Sequence, residues 1–101
     1  MKVLLICSAG MSTSVLVTKM RGFAAGGDVI EEKAFTELND AIDDFDVVLV
    51  GPQMGFRFPA VNTLCQEKGK AAAKIDMMVY GRCDGEKAYA QAKALYESLG
   101  K

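Results

Sequence analysis

One stretch of this chain concentrates the groups that could do covalent chemistry: Cys7-Ser8-Ala9-Gly10-Met11-Ser12-Thr13-Ser14. A thiol opens it, small and hydroxyl-bearing residues follow, and the apolar run Val3-Leu4-Leu5-Ile6 precedes it. A turn of this make-up lets successive backbone N–H groups converge on one point. A helix that starts there adds unpaired donors and about half a positive charge. Such a place welcomes an anion, whether a phosphoryl group or a thiolate. Cys7 is therefore the candidate nucleophile, and Ser8, Ala9, Gly10, Met11, Ser12, Thr13 and Ser14 form a P-loop-like candidate cradle for phosphate. The plainer alternative is a buried thiol ahead of an ordinary helix cap.

The loop can be set against the known phosphate chemistries. A Walker A motif needs Gly-Lys-Ser/Thr, and this loop has no lysine. A flavodoxin loop is also hydroxyl-rich, but that fold needs five strands and a longer chain to enclose a flavin. A response-regulator receiver needs acidic residues after its first strand and an Asp after its third, where this chain has Cys7-Ser8 and Gly51-Pro52. A low-molecular-weight tyrosine phosphatase carries Cys, five residues, then Arg, and here the Arg place holds Thr13. Without that guanidinium, hydrolysis loses the main charge partner of its transition state. A phosphoryl carrier thus ranks above a cysteine phosphatase with an atypical loop, and above a non-catalytic phosphate- or FMN-binding module.

Composition narrows the field further. The chain has no histidine, which removes Ser–His and Cys–His dyads, His-based metal sites and a phosphohistidine of its own. Its three cysteines, Cys7, Cys65 and Cys83, form no C-x-x-C pair, so neither a zinc knuckle nor a redox pair is expected. No metal or cofactor is expected at all. Cys65 falls on the apolar face of a predicted helix and Cys83 in a turn, and both read as inert. A net charge of −1 and a pI near 5.3 argue against a nucleic-acid grip. The acidic cluster Asp40, Asp43, Asp44 and Asp46 reads as a solvated turn. Four apolar residues after Lys2 are too few for a signal peptide, and no membrane-length run follows, so a soluble, cytoplasmic protein is expected.

The elements that must position the loop follow from periodicity. Val3–Ile6 and Val47–Val50 read as central strands covered on both faces. A helix is predicted from the loop to about Ala25, with Val15, Leu16, Lys19, Met20 and Phe23 at helical spacing and Gly26-Gly27 as its stop. Asp28–Phe35 reads as an edge strand, because Glu31, Glu32 and Lys33 interrupt it. Thr36 is placed to cap a short helix that buries Leu38, Ala41 and Ile42. Pro59 suits the first turn of a helix carrying Val61, Leu64 and Cys65 and ending near Gly69. Ala71–Ile75 has helical propensity but a strand's length and position. Asp84 opens a last helix with Ala88, Ala92, Leu95 and Leu99 on one face, closed by Gly100. The order β-α-β-α-β-α-β-α means one α/β domain over residues 1–101, a parallel sheet with helices on both faces. Its crevice should lie at the carboxyl ends of the strands, between Cys7–Ser14 and Gly51–Arg57.

The Cys7–Ser14 segment with Val15, Leu16, Val17, Lys19 and Met20 resembles the active-site segment of enzyme IIB of the sugar phosphotransferase system, lactose/cellobiose (diacetylchitobiose) class. The likeness continues through Asp46-Val-Val-Leu-Val-Gly-Pro-Gln53, Ile75-Asp76, Tyr80-Gly81 and Asp84-Gly85. It implies a four-stranded parallel sheet in the order 2-1-3-4. It also implies a protein-phosphocysteine–sugar phosphotransferase, in which Cys7 takes a phosphoryl group from a histidine of the phosphorylated IIA protein. The group then passes to a sugar, a β-linked disaccharide such as cellobiose, chitobiose or lactose, held by the membrane IIC component. The chain departs from the family pattern in the Ala-rich fourth strand and in Met54-Gly-Phe-Arg-Phe58. Gly51, Pro52, Gln53, Met54, Phe56 and Phe58 are the candidate crevice wall and partner contacts, with Met11, Met54, Phe56 and Phe58 as an apolar rim. Arg57 could meet a phosphoryl group or an acidic partner, but the solvated reading is favoured.

Overall fold

The two unbroken apolar runs become the two central strands, β1 (Lys2–Cys7) and β3 (Val47–Val50). The computed structural model describes residues 1–7 and 11–100, with the backbone alone at residues 11–13. β2 (Val29–Ala34) pairs with the outer side of β1, and β4 (Ala71–Lys74) with the outer side of β3. All pairings are parallel, and the strand order is β2-β1-β3-β4. The charged strand β2 takes an edge, as Glu31, Glu32 and Lys33 require. The ambiguous Ala segment is the other edge. Each of its four residues finds a partner on β3, and that pairing overrides the helical propensity of alanine. Ile75 extends that ladder, its N–H donating to the Val50 carbonyl at 2.9 Å.

Alternation along the central strands sends side chains to two cores. Val3, Leu5, Val47 and Leu49 face one side, where α1 (Met11–Arg21) supplies Leu16, Val17 and Met20 and α5 (Gly85–Ser98) supplies Ala88 and Ala92. Leu4, Ile6, Val48 and Val50 face the other, covered by Leu38, Ala41 and Ile42 and by Val61 and Cys65 of α3 (Phe58–Glu67).

Several local expectations are corrected. α1 ends at Arg21 instead of about Ala25, and Val15 and Phe23 stay roughly half exposed, at 45% and 51%. The N–H groups of Gly22, Phe23 and Ala24 reach only three residues back, to Lys19, Met20 and Arg21, and tighten the chain out of the helix. Arg21 meanwhile donates to the Ile30 carbonyl and ties the helix end to β2. Thr36 does not cap a helix. It lies inside a 3-10 turn, Phe35–Glu37, whose start is closed by the Ala34 N–H donating to the Glu37 carboxylate at 3.1 Å. That turn runs on into α2 (Leu38–Ala41) and a second 3-10 turn, Ile42–Asp44.

An unforeseen short helix, α4 (Met77–Gly81), follows β4. Asp76 starts it by accepting from the N–H groups of Met78 and Val79 at 2.9 and 3.3 Å. It closes with the N–H of Cys83 on the Tyr80 carbonyl and that of Asp84 on the Val79 carbonyl. This closure puts Cys83 at φ 51, a left-handed position usually given to glycine. α3 closes the same way on Gly69 (φ +72), with Gly69 donating to Gln66 and Lys70 to Cys65.

Two features of this frame are testable. Gly85 opens α5 directly against the backbone of α1: a Cβ there would lie 2.5 Å from the Lys19 carbonyl carbon and 2.7 Å from the Met20 nitrogen. Gly85→Ala should therefore push the two helices apart and cost ~1–3 kcal/mol, read as a lower urea midpoint. The second is a polar knot at the amino end of the sheet. Asp28 accepts from the Met1 ammonium at 2.7 Å and from the Tyr89 hydroxyl at 2.5 Å. The hydrogen bond from the ammonium, then that from Tyr89, holds the Asp28 carboxyl below its usual value, and the same bond pushes the Tyr89 phenol up. A carboxyl depressed in the folded state stabilises at neutral pH and loses that contribution as pH falls through the carboxylate range. The stability gap between the wild type and Asp28→Asn should thus narrow between about pH 5 and pH 2, as followed by denaturant titration.

Candidate active site

Cys7 stands where β1 outruns β3. Its strand partner on β2 is Ala34, but the β1–β3 pairing ends at Ile6 and Val50, and only the Gly51 N–H reaches on, to the Ile6 carbonyl at 3.1 Å. There the chain leaves the sheet as Gly51-Pro52. Its turn is fixed by the Met54 N–H donating to the Gly51 carbonyl at 2.9 Å, and it continues as a 3-10 segment, Pro52–Arg57, into α3. β1 and β3 are the strands between which the connections reverse direction, the place where parallel sheets open a crevice.

The crevice is a pocket of about 220 Å³. Cys7 lies on it, 7% exposed. Ala34, Phe35 and Thr36 wall one side, from the end of β2, and Met54, Phe56 and Arg57 wall the other. The Arg57 guanidinium stands 5.0 Å from the centroid of the Phe35 ring and 5.2 Å from that of Phe56. The two rings hold a long cationic side chain from opposite walls, each by attraction of charge to the ring face. Phe56 itself is 72% exposed.

The structure divides the residues singled out from the sequence. Ser8, Ala9 and Gly10 of the predicted cradle lie outside the described residues, as do the side chains of Met11, Ser12 and Thr13. Residues 11–13 form the first turn of α1. The Ser14 hydroxyl donates to the Glu32 carboxylate at 2.5 Å and so tacks the start of α1 to β2. The second oxygen of Glu32 is buried, with no hydrogen-bond partner among the described residues.

Of the predicted wall, Met54 is buried in the α3-side core while touching the pocket, and Phe58 packs half-buried against that core, its ring 5.7 Å from the Lys74 ammonium. The apolar rim thus reduces, among the described side chains, to Phe56. Pro52 and Gln53 line a neighbouring pocket of about 330 Å³ with Met77 and Tyr80. Gly51 is buried beneath Tyr80, whose ring edge a Cβ would meet at 3.4 Å. Arg57 is exposed, yet pinned at the thiol's pocket. Ala34, Phe35 and Thr36 are the pocket residues that sequence reasoning did not bring to the site. Arg57 fell within the expected wall Gly51–Arg57, but nothing in the sequence brings Phe35 to it.

The other two thiols sit in different surroundings. Cys65 is fully buried, and burial pushes its thiol up to about 11 despite the pull of Lys70, so it is protonated and shielded at neutral pH. Cys83 is half-buried in the turn before α5. Among the described residues no helix is long and apolar enough to cross a membrane.

Comparison with known proteins now adds to this geometry. The family model for the "PTS system, Lactose/Cellobiose specific IIB subunit" matches residues 2–91. The oligo-beta-mannoside-specific EIIB component of Bacillus subtilis is 43% identical over 101 aligned positions, covering 93% of this chain and 94% of the relative. The cellobiose-specific EIIB component of Lactococcus lactis is 35% identical, with coverage of 90% and 92%. Among solved structures, the cellobiose-specific phosphotransferase IIB component of Borrelia burgdorferi superposes with a TM-score of 0.81 at 35% identity, over 98% of this chain and 94% of that one. With its fold, its sequence and its strand order in agreement, the chain belongs to the lactose/cellobiose-specific IIB subunits of the sugar phosphotransferase system.

Proposed function

We propose that this IIB subunit is a phosphoryl carrier whose acceptor atom is the Sγ of Cys7. The observation that carries the reading is position: Cys7 ends the central strand in the crevice, just ahead of α1, with a guanidinium on the same pocket. In the first half-reaction the thiolate attacks the phosphorus of a phosphohistidine on the IIA protein. The S–P bond forms as the N–P bond breaks, the bonding electron pair stays on the imidazole nitrogen, and that nitrogen takes up a proton. In the second, a sugar hydroxyl held by the membrane IIC component attacks the phosphorus. The O–P bond forms as the S–P bond breaks, the hydroxyl gives up its proton to a base or to water, and the electron pair leaves on the Cys7 thiolate.

A sugar of the β-linked oligosaccharide class fits relatives named for oligo-beta-mannoside and for cellobiose, with the choice among sugars lying in IIC. The loop Ser8–Ser14 would cradle the phosphate by its N–H groups. Gly51, Pro52, Gln53, Met54, Phe56 and Phe58 would form the wall that meets the partners, and Phe56 is the most exposed of its apolar members. The reading has the subunit act in the cytoplasm, as one domain over residues 1–101.

The reading is tested by incubation with phosphorylated IIA, followed by intact-mass analysis and peptide mapping. One phosphoryl group should appear on Cys7. It should vanish in Cys7→Ser, because a serine hydroxyl is far less nucleophilic at neutral pH, and it should persist in Cys65→Ser and Cys83→Ser. Alkylation of the native protein at neutral pH should modify Cys7 well before Cys65, whose thiol burial keeps protonated. Labelling that survives Cys7→Ser removes the cysteine mechanism. Rapid aryl-phosphate turnover by the isolated protein would favour a phosphatase instead.

A further inference from the structure

We infer that Arg57 is a phosphoryl-positioning residue: clamped between Phe35 and Phe56, its guanidinium pairs with the non-bridging oxygens of the group carried on Cys7. This rests on Cys7 being the phosphoryl acceptor, and it names the charge partner that the acceptor would otherwise lack.

Three observations support it. Arg57 is the one charged side chain among the described residues that line the pocket of Cys7. A phosphoryl group brings about two negative charges into that space at neutral pH. Buried or half-buried charge needs a partner, and Arg57 is on hand to supply it.

Second, the ion pairs Met1–Asp28 and Lys68–Asp43 do not involve Arg57. The rings of Phe35 and Phe56 meet its guanidinium, and a ring face attracts the charge without taking up the N–H donors as a carboxylate would. The planar fork of N–H donors therefore stays available for bidentate contact with phosphate.

Third, the clamp is built from both walls of the crevice. Phe35 follows β2 directly, and Phe56 sits in the turn that leaves β3. A cation held from both sides is already in place when the phosphoryl group arrives, and preorganised charge is what lowers the barrier to such transfers. Arg57 exchanges neither proton nor electron in the step. The S–P bond forms and the donor's N–P bond breaks as described above, while the guanidinium balances charge on the oxygens that move.

The experiment uses the full chain, phosphorylated by IIA, with Arg57→Gln, Arg57→Lys and Phe56→Leu compared with the wild type. Two quantities are read: the rate of phosphoryl uptake on Cys7, and the pH titration of the phosphocysteine phosphorus signal by NMR on the protein freed of IIA. Arg57 is exposed, so the variants should keep the wild-type circular dichroism and unfolding midpoint. In Arg57→Gln, uptake should fall about tenfold or more. Its phosphate titration should also move to higher pH, since the dianion loses its counter-charge. Arg57→Lys should recover part of the titration shift, as a charge without the planar fork. Phe56→Leu should give an intermediate loss of rate.

Slower uptake with an unmoved titration would overturn the proposal, because Arg57 would then act on the donor protein and not on the phosphoryl group. Unchanged rate and titration in Arg57→Gln, with Cys7 still labelled, would overturn it too while leaving the acceptor role of Cys7 intact. Failure to label Cys7 in the wild type would remove both together.

Discussion

β1 is hydrogen-bonded on both edges, but unequally. All six of its residues pair with β2, and only Val3–Ile6 pair with β3. That inequality is the constraint from which the site follows. On the β2 side, pairing holds Cys7 in the sheet, so its backbone cannot drift. On the β3 side, the chain has already turned away at Gly51-Pro52, and the gap it leaves is the pocket. Equal pairing on both sides would have sealed the thiol in the core. The side chains beneath hold this arrangement firmly, because Leu4, Leu5 and Ile6 are buried on both faces of the sheet at once.

What was legible in the sequence was whatever a local pattern determines. Val3–Ile6 and Val47–Val50 could only be central strands, and charges on Glu31–Lys33 could only mark an edge. Asp84 announced the start of α5 because a cap and an apolar face coincide there. The place of Cys7 at a strand end ahead of a helix was legible for the same reason, since strand, thiol and helix start are neighbours in the chain. Patterns misled where tertiary bonds outbid them. Phe23 lies at helical spacing, yet Arg21 is drawn to the Ile30 carbonyl and α1 stops. Thr36 is a good cap by type, but Glu37 reaches the Ala34 N–H first. The start of α4 carries a local signal, the Asp76 cap, but the helix is only five residues long and shows no apolar period to extend it. Arg57 was legible as part of the crevice wall, but its fixed place there depends on Phe35, which lies on a different strand's connection.

The two buried cysteines show how one functional group is given two fates. Cys65 lies on the inner face of α3, closed over by Val48, Val50 and Phe45, and burial penalises its charged form. Cys7 lies at a strand end that opens on a pocket with a cation on its wall. Neither fate follows from the residue type. Both follow from where the helices do and do not cover the sheet.

The central place of β1 also has a bearing on how the protein is made. Its hydrogen-bond partners, Val29–Ala34 and Val47–Val50, lie further along the chain, so the segment bearing Cys7 is synthesised before it can be paired. A nascent chain that has reached only α1 carries Val3–Ile6 as a bare apolar strand with two unsatisfied edges, a template for wrong pairings. Adding β2 satisfies one edge, and adding β3 satisfies the other. Only then does the exit at Gly51 create the pocket, and residues 52–57 bring Arg57 to it. The pocket therefore waits on β3 and its exit turn, so a chain made only as far as β2 holds the thiol without the wall that carries Arg57.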